Sequence, residues 1–214
     1  LIYEHGTVFE KKGDTLKDID QVSNFSCLVH GNFYEKNVHF NALENNFFLL
    51  KGMATNIFET LTKAKVKFVE DKHSYCDIFY RIVDGKKNTV GSIGVVADSF
   101  LNKLDIAHKT NVCVMDINTS FFVEHFNHSV KVKDVVLYPV VNRDLNFKLD
   151  SGTNLGEVCS AMKSINQSIL QHVSPVDIYQ SKEEGNKKNV LFKLSFQSIK
   201  KTLEDNEVNA VIAE

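Results

Sequence analysis

The order of apolar patterns after residue 138 constrains the fold of this chain more than any other feature. Its strand-like and helical stretches lie at 141–149 (strand), 154–169 (helix), 173–179 (strand), 190–196 (strand) and from 202 onward (helix). Asn154 opens the first helix, and Thr202 or Asp205 is expected to cap the second. The order β-α-β-β-α predicts an α+β domain in which one face of a sheet is buried under the helices.

A ferredoxin-like domain has this order of elements plus one further strand. The sequence therefore predicts a ferredoxin-like domain that lacks its last strand, with one uncovered edge in its sheet. The alternating apolar residues of 190–196 are expected to face the helices, together with Val176 and Ile178. Asp177 and Tyr179 then point to the open side.

The first 120 residues combine strand-like runs with one strong helical pattern. Runs rich in β-branched and aromatic residues lie at 2–9, 25–30, 66–70, 77–83, 89–95 and 111–117. From Asn46 to Leu61, apolar residues recur at steps of three and four, which predicts an amphipathic helix. A short helix is expected near 98–104 with Asp98 as its N-cap. These patterns indicate a mostly antiparallel sheet with helices.

The pattern weakens between these two parts, and Tyr138-Pro139 restricts the backbone before the next strand. We therefore place a first domain at 1–120, a linker at 121–131 and a second domain at 132–214. No stretch approaches the roughly 20 apolar residues that span a bilayer, and no secretory leader is apparent. A cytoplasmic protein with no membrane partner is expected.

Charge and cysteine usage limit the possible functions further. The formal net charge is −2, so any contact with RNA must be local. Six lysines against two glutamates within 182–201 supply such a local excess, although a solvated loop explains it as well. The four cysteines lie more than 35 residues apart, which favours buried thiols over disulfides or a metal site.

Ordered motifs in the second domain carry a family resemblance. They are Tyr138-Pro139 with Arg143-Asp144, Val176-Asp177-Ile178-Tyr179, Lys187-Lys188-Asn189-Val190 and Thr202-Leu203-Glu204-Asp205. With them the domain resembles the anticodon-binding domain that closes the β subunit of bacterial-type phenylalanine–tRNA ligases. The first 120 residues resemble the preceding domain of that subunit, a non-catalytic domain similar to class II synthetases. Its signals include Glu4-His5-Gly6-Thr7-Val8-Phe9 and Val90-Gly91-Ser92-Ile93-Gly94.

The resemblance implies part of an aminoacyl-tRNA ligase. It implies that the chain recognises phenylalanine-specific tRNA and scaffolds an (αβ)₂ assembly, with ATP and Mg²⁺ acting in the α subunit. No catalytic residue, cofactor or metal is expected in this chain, and the isolated chain is predicted to be inactive. Independently, Arg81 and Arg143 are its only arginines, too few for the bidentate phosphate contacts of such a site.

By resemblance, Asp177 and Tyr179 match positions that read the first anticodon base, and Asn189 stands where a serine is often found. A tyrosine ring stacks on an unpaired base, and a carboxylate accepts hydrogen bonds from its Watson–Crick edge. Lys187 and Lys188 are predicted to contact phosphate. The alternative for Tyr179 is a ring that covers the sheet edge.

Other candidates have plainer interpretations. Arg143 and Asp144 are interpreted as structural residues that pin the strand start to a neighbouring turn. His125 and His128 offer two imidazoles to a metal, but no third ligand is evident nearby, which favours a solvated linker. A different class of function stays open, namely a protein-interaction module on a ferredoxin-like fold that binds no RNA.

Overall fold

The computed structural model describes residues 1–106, 111–127, 129, 135–180 and 185–213 of the chain. The chain divides into two compact units, Leu1–Val130 and Lys131–Glu214. Antiparallel sheets and a few helices build both units, which is the α+β class that the sequence predicts. No helix in the described residues is long and apolar enough to cross a membrane.

A large sheet forms the frame of the first unit. Its strands are β1 (Ile2–Lys11), β2 (Ile19–Val29), β5 (Lys67–His73), β6 (Cys76–Val83), β7 (Thr89–Val96) and β8 (Cys113–Asn118). They pair antiparallel in the order β1-β2-β8-β7-β6-β5. A small hairpin of β3 (Asn32–Tyr34) and β4 (Leu43–Glu44), which the sequence did not predict, precedes the first helix.

Helix α1 (Phe47–Thr62) packs against this sheet and begins where the sequence predicts. Asn46 Oδ1 accepts a hydrogen bond from the backbone N–H of Leu49 at 2.9 Å, which caps the helix. The helix buries Leu50, Ala54, Phe58 and Thr62. Its apolar stripe and the sheet thus form the core of the first unit. Helix α2 (Asp98–Lys103) begins one residue earlier than predicted, with Ala97 at the cap position.

Helix α3 (Ser120–His125) occupies residues that were expected to belong to the linker at 121–131. Phe121 is buried, and the ring centroid of Phe58 lies 5.7 Å from that of Phe121 and 5.0 Å from that of Phe122. Aromatic packing on α1 therefore makes this segment part of the first core. A pattern of six residues was too short to predict a helix.

The second unit has the predicted order of elements. They are β9 (Val141–Asp150), α4 (Leu155–Ile165), β10 (Leu170–Tyr179), β11 (Lys187–Phe196) and α5 (Asp205–Ile212). The strands pair antiparallel in the order β10-β11-β9. In the described part of the chain β9 pairs on one side only, as expected for a sheet with an uncovered edge.

The two helices of the second unit begin with different caps. Asn154 Oδ1 accepts from the backbone N–H of Gly156 at 2.9 Å, which confirms the predicted cap of α4. For α5 the cap is Glu204, whose backbone N–H donates to Glu207 Oε2 at 3.1 Å. The prediction of Thr202 or Asp205 is wrong because a capping box fixes the start between them.

Candidate nucleic-acid interface

One face of the three-stranded sheet carries the candidate site. Alternate residues of β11 (Val190, Phe192, Leu194 and Phe196) are buried in a core with residues of α4 and α5. Residues directly opposite each other on paired strands share a face. The other face, which we call the open sheet face, therefore presents Asn142, Asp144, Asn146 and Lys148 of β9, Asn189, Leu191, Lys193 and Ser195 of β11, and His172, Ser174, Asp177 and Tyr179 of β10.

Strand register brings the three predicted base-contact residues together on this face. Tyr179 lies directly opposite Asn189, and Asp177 follows two residues away, opposite Leu191. Tyr179 is 65% exposed, so its ring is accessible to solvent. An accessible ring beside an amide and a carboxylate is suited to stack on an unpaired base and to hydrogen-bond its edge.

A bulge in β10 makes the predicted burial of Val176 under the helices wrong. Register is shifted just before Asp177, and Val176, the extra residue, has no partner in register and is 59% exposed. Ile178 lies opposite Val190 on the helix side, as predicted, but it is 54% exposed because β10 is an edge strand. The bulge adds one residue to the alternation, which a strict period of two does not anticipate.

The two lysines predicted to contact phosphate both have partners within the protein. Lys187 Nζ lies 2.6 Å from Asp150 Oδ1, in a solvent-exposed ion pair. Lys188 Nζ donates to the carbonyl oxygens of Ser151 and Thr153, both at 2.8 Å, in the turn before α4. Lys188 therefore holds this turn in place, whereas Lys187 can exchange a weak surface ion pair for a phosphate.

Lys148 and Lys193 add positive charge to the open sheet face. Lys148 lies opposite Asn189 in the same cross-strand row as Tyr179, and Lys193 lies four residues along β11. The sequence analysis did not single out Lys148, because only the pairing of β9 with β11 shows that it stands beside Asn189. Lys182, which belongs to the predicted basic stretch, lies outside the described residues.

Arg143 and Asp144 point to opposite sides of β9. The Arg143 guanidinium donates to Asp205 Oδ1 at 2.5 Å and so ties β9 to the first residue of α5. This contact is of the structural kind that the sequence favoured. Asp144 instead lies on the open sheet face, opposite Lys193.

Tyr138 and Pro139 precede β9 and are exposed. The carbonyl oxygen of Tyr138 accepts a hydrogen bond from Gln197 Nε2 at 2.8 Å. Because Gln197 directly follows β11, this bond joins the entry of one strand to the exit of its neighbour. The motif therefore supports the sheet and does not belong to the open sheet face.

Both arginines of this chain form contacts within the protein. Arg81 Nε lies 2.7 Å from Asp71 Oδ2, and the same guanidinium donates to Thr89 Oγ1 at 3.3 Å. The backbone N–H of Lys72, with help from Arg81, lowers the pKa of Asp71, so this carboxylate stays charged beside the guanidinium. Arg143 is engaged with the start of α5 as described above. Both groups therefore contribute to the fold.

The remaining candidates from the sequence are histidines and cysteines. His125 Nδ1 lies 3.0 Å from the carbonyl oxygen of Phe121, and the His125 ring stacks on the Phe121 ring. His128 lies outside the described residues. Burial raises the pKa of Cys113 to about 11, so its thiol is protonated at neutral pH. In the described ranges no three His, Cys, Asp or Glu side chains are grouped to hold a metal ion.

Both units match models of known protein families. Residues 1–119, more than half of the chain, match the model of the phenylalanyl tRNA synthetase beta chain CLM domain. The chain belongs to the phenylalanyl-tRNA synthetase β-chain family. Residues 137–214 match the ferredoxin-fold anticodon binding domain, and the open sheet face lies within these residues. The family predicted from the sequence motifs is confirmed.

Phenylalanine–tRNA ligase β subunits from several bacteria are similar to the chain. It is 27% identical over 214 residues to the subunit of Lactococcus lactis subsp. lactis, 28% over 214 to that of Streptococcus agalactiae serotype Ia and 24% over 215 to that of Shouchella clausii. These alignments cover 99%, 97% and 98% of this chain but 26% of each relative. The chain thus spans about a quarter of the length of these synthetase β chains.

Proposed function

We propose that this chain recognises the anticodon of phenylalanine-specific tRNA as part of a phenylalanine–tRNA ligase. The observation that carries the proposal is the exposed ring of Tyr179 directly opposite Asn189, with Asp177 on the same face. This arrangement lies within the residues that match an anticodon-binding domain.

The first anticodon base stacks on Tyr179 and forms hydrogen bonds with Asn189 and Asp177. Stacking on an aromatic side chain contributes about 1–3 kcal/mol per base, and the amide both donates and accepts. Lys148 of β9 lies opposite Asn189, and Lys187 lies two residues before Asn189 on β11, so both lysines contact the adjacent phosphates. Recognition is therefore local, in keeping with a chain of net charge −2.

The ligase reaction itself takes place in a partner subunit. ATP and Mg²⁺ bind to the α subunit of an (αβ)₂ assembly in the cytoplasm, and this chain contributes tRNA recognition and scaffolding. Two observations support this division. The relatives are named as β subunits of phenylalanine–tRNA ligases, and both arginines of this chain are engaged in the fold.

Binding of an anticodon stem-loop to the full chain tests the proposal. Tyr179→Ala removes the stacking surface and is expected to weaken binding roughly 5- to 150-fold, whereas Tyr179→Phe keeps the ring and most of the affinity. A stem-loop with a changed first anticodon base should bind the native chain less tightly. Equal affinity of the native chain and Tyr179→Ala would contradict base recognition, and no RNA binding at all would favour a protein-interaction module.

A further inference from the structure

The open sheet face extends well beyond Tyr179. Along β11 it runs from Asn189 to Ser195, six residues further, which corresponds to about 20 Å at roughly 3.4 Å per residue. A four-stranded RNA-binding sheet of ordinary size stacks two or three bases. A face of this length therefore exceeds what a single base covers.

The far end of the face also carries an aromatic ring and an amide. His172 of β10 lies directly opposite Ser195, which in turn lies opposite Asn142 of β9. This row thus places an exposed aromatic ring at one sheet edge and an amide two strands away, with Ser195 between them, whereas Asn189 lies directly opposite Tyr179 in the near row. The bulge in β10 lets both rings point to the same face although seven residues separate them.

Hydrogen bonding orients the amide in the far row. Ser195 Oγ donates to Asn142 Oδ1 at 2.8 Å. Because this bond engages the amide oxygen, the amide nitrogen of Asn142 is left as the group that donates to a ligand. Exposed Lys193 lies between the two rows, and Asp144 opposite it offsets part of its charge.

We propose that His172, Asn142 and Lys193 bind a second unpaired nucleotide of the same RNA loop. The imidazole stacks on its base, Asn142 donates a hydrogen bond to an acceptor on the base edge, and Lys193 contacts a phosphate. This inference rests on the proposed function, since it extends the same RNA-binding face by one further subsite.

Stem-loops that lack one base at a time test this subsite in the full chain. Each loop carries an abasic nucleotide at one anticodon position, which removes the base and keeps the phosphate. His172→Ala should weaken binding of the intact loop roughly 5- to 150-fold, and His172→Phe should restore it. With one of the loops that is abasic at a position other than the first, His172→Ala should bind as tightly as the native chain. Tyr179→Ala should bind as tightly as the native chain only with the loop that is abasic at the first position.

Lysine variants provide a matched pair. Lys193→Met should lower the slope of log K against log salt by about 0.7, the value for one contact to a single strand. Lys163→Met, which removes an exposed lysine from α4 on the other side of the sheet, should leave that slope unchanged.

The outcomes separate this inference from the proposed function. If Tyr179→Ala weakens binding while His172→Ala does not, the second subsite is wrong and anticodon recognition stands. If His172→Ala weakens the binding of every abasic loop by the same factor, the imidazole stacks on no base and the inference is overturned. If the native chain binds no stem-loop, both proposals fail together.

Discussion

Lys187 and Lys188 are adjacent residues of the same type with different surroundings. Lys187 forms a surface ion pair with Asp150, while Lys188 donates to the carbonyl oxygens of Ser151 and Thr153. A charge that satisfies backbone carbonyls contributes to stability more than an exposed ion pair does. Lys188 therefore contributes to the stability of the fold, whereas Lys187 is the one of the two that we expect to bind RNA.

Methionine substitutions of these lysines should have different effects. Lys188→Met leaves two carbonyl oxygens without their donor and is expected to reduce the free energy of unfolding by about 1.5–3 kcal/mol. Lys187→Met should reduce it by less than about 1 kcal/mol and should lower the salt dependence of RNA binding. Urea denaturation and titrations at two salt concentrations measure both effects. Equal destabilisation by the two variants would contradict the assignment.

The family resemblance singles out Asp177, Tyr179 and Asn189 as base-contact candidates, and ring, carboxylate and amide suit an unpaired base. The strand register places these three residues on one face, and base contact stays a prediction. The place of Lys148 depends on strand register, which the pattern of a single strand does not define. The hydrogen bonds of Lys188 depend on a turn 35 residues away in the sequence and were equally inaccessible.

At the scale of elements, local hydrogen bonds fix the turn between β6 and β7. Asp84 Oδ1 accepts from the backbone N–H groups of Lys86 and Asn88 at 2.8 Å, and Oδ2 accepts from Asn88 Nδ2 at 3.1 Å. Desolvation acts to raise the pKa of Asp84, but these hydrogen bonds outweigh it and hold the pKa below its usual range. Folding therefore favours the charged carboxylate.

This turn should make stability depend on pH. Because the pKa of Asp84 is lower in the folded chain than in the unfolded chain, its contribution is present above the unfolded pKa and is lost as pH falls through the folded pKa. Asp84→Asn should be less stable than the native chain at neutral pH, and the difference should shrink in acid. Urea denaturation across this range checks the trend, and a difference that does not change with pH would refute it.

Helix α3 provides a second test at this scale. Phe121 is 8% exposed and packs on Phe58, whereas Val123 in the same helix is 83% exposed. Phe121→Ala should reduce the free energy of unfolding by about 3–5 kcal/mol, and Val123→Ala should change it by less than about 0.5 kcal/mol. Similar unfolding curves for the two variants would show that 120–125 behaves as a linker after all.

At the scale of the whole molecule, the sequence predicted the order of elements better than their pairing. The β-α-β-β-α order and the family followed from periodicity and motifs, as the structure and the comparisons bear out. The β3–β4 hairpin and the bulge in β10 were missed because short strands and inserted residues carry little periodicity. Strand order across the six-stranded sheet likewise depends on contacts distant in sequence.

A chain of net charge −2 that binds RNA through one local face should show a shallow salt dependence. Three lysines, Lys148, Lys187 and Lys193, contact phosphates in our proposals. At about 0.7 per contact to a single strand, the slope of log K against log salt should be about −2. A slope several times steeper would mean that RNA contacts positive charge outside the open sheet face.

Amide chemical shifts recorded during titration with a phenylalanine-tRNA anticodon stem-loop test the central claim most directly. The account predicts that the shifts that change cluster on the open sheet face, around Tyr179, Asn189 and Lys193, while those of α4 and α5 change little. Changes confined to the helices or to the six-stranded sheet, or no change at all, would contradict recognition of RNA by this face.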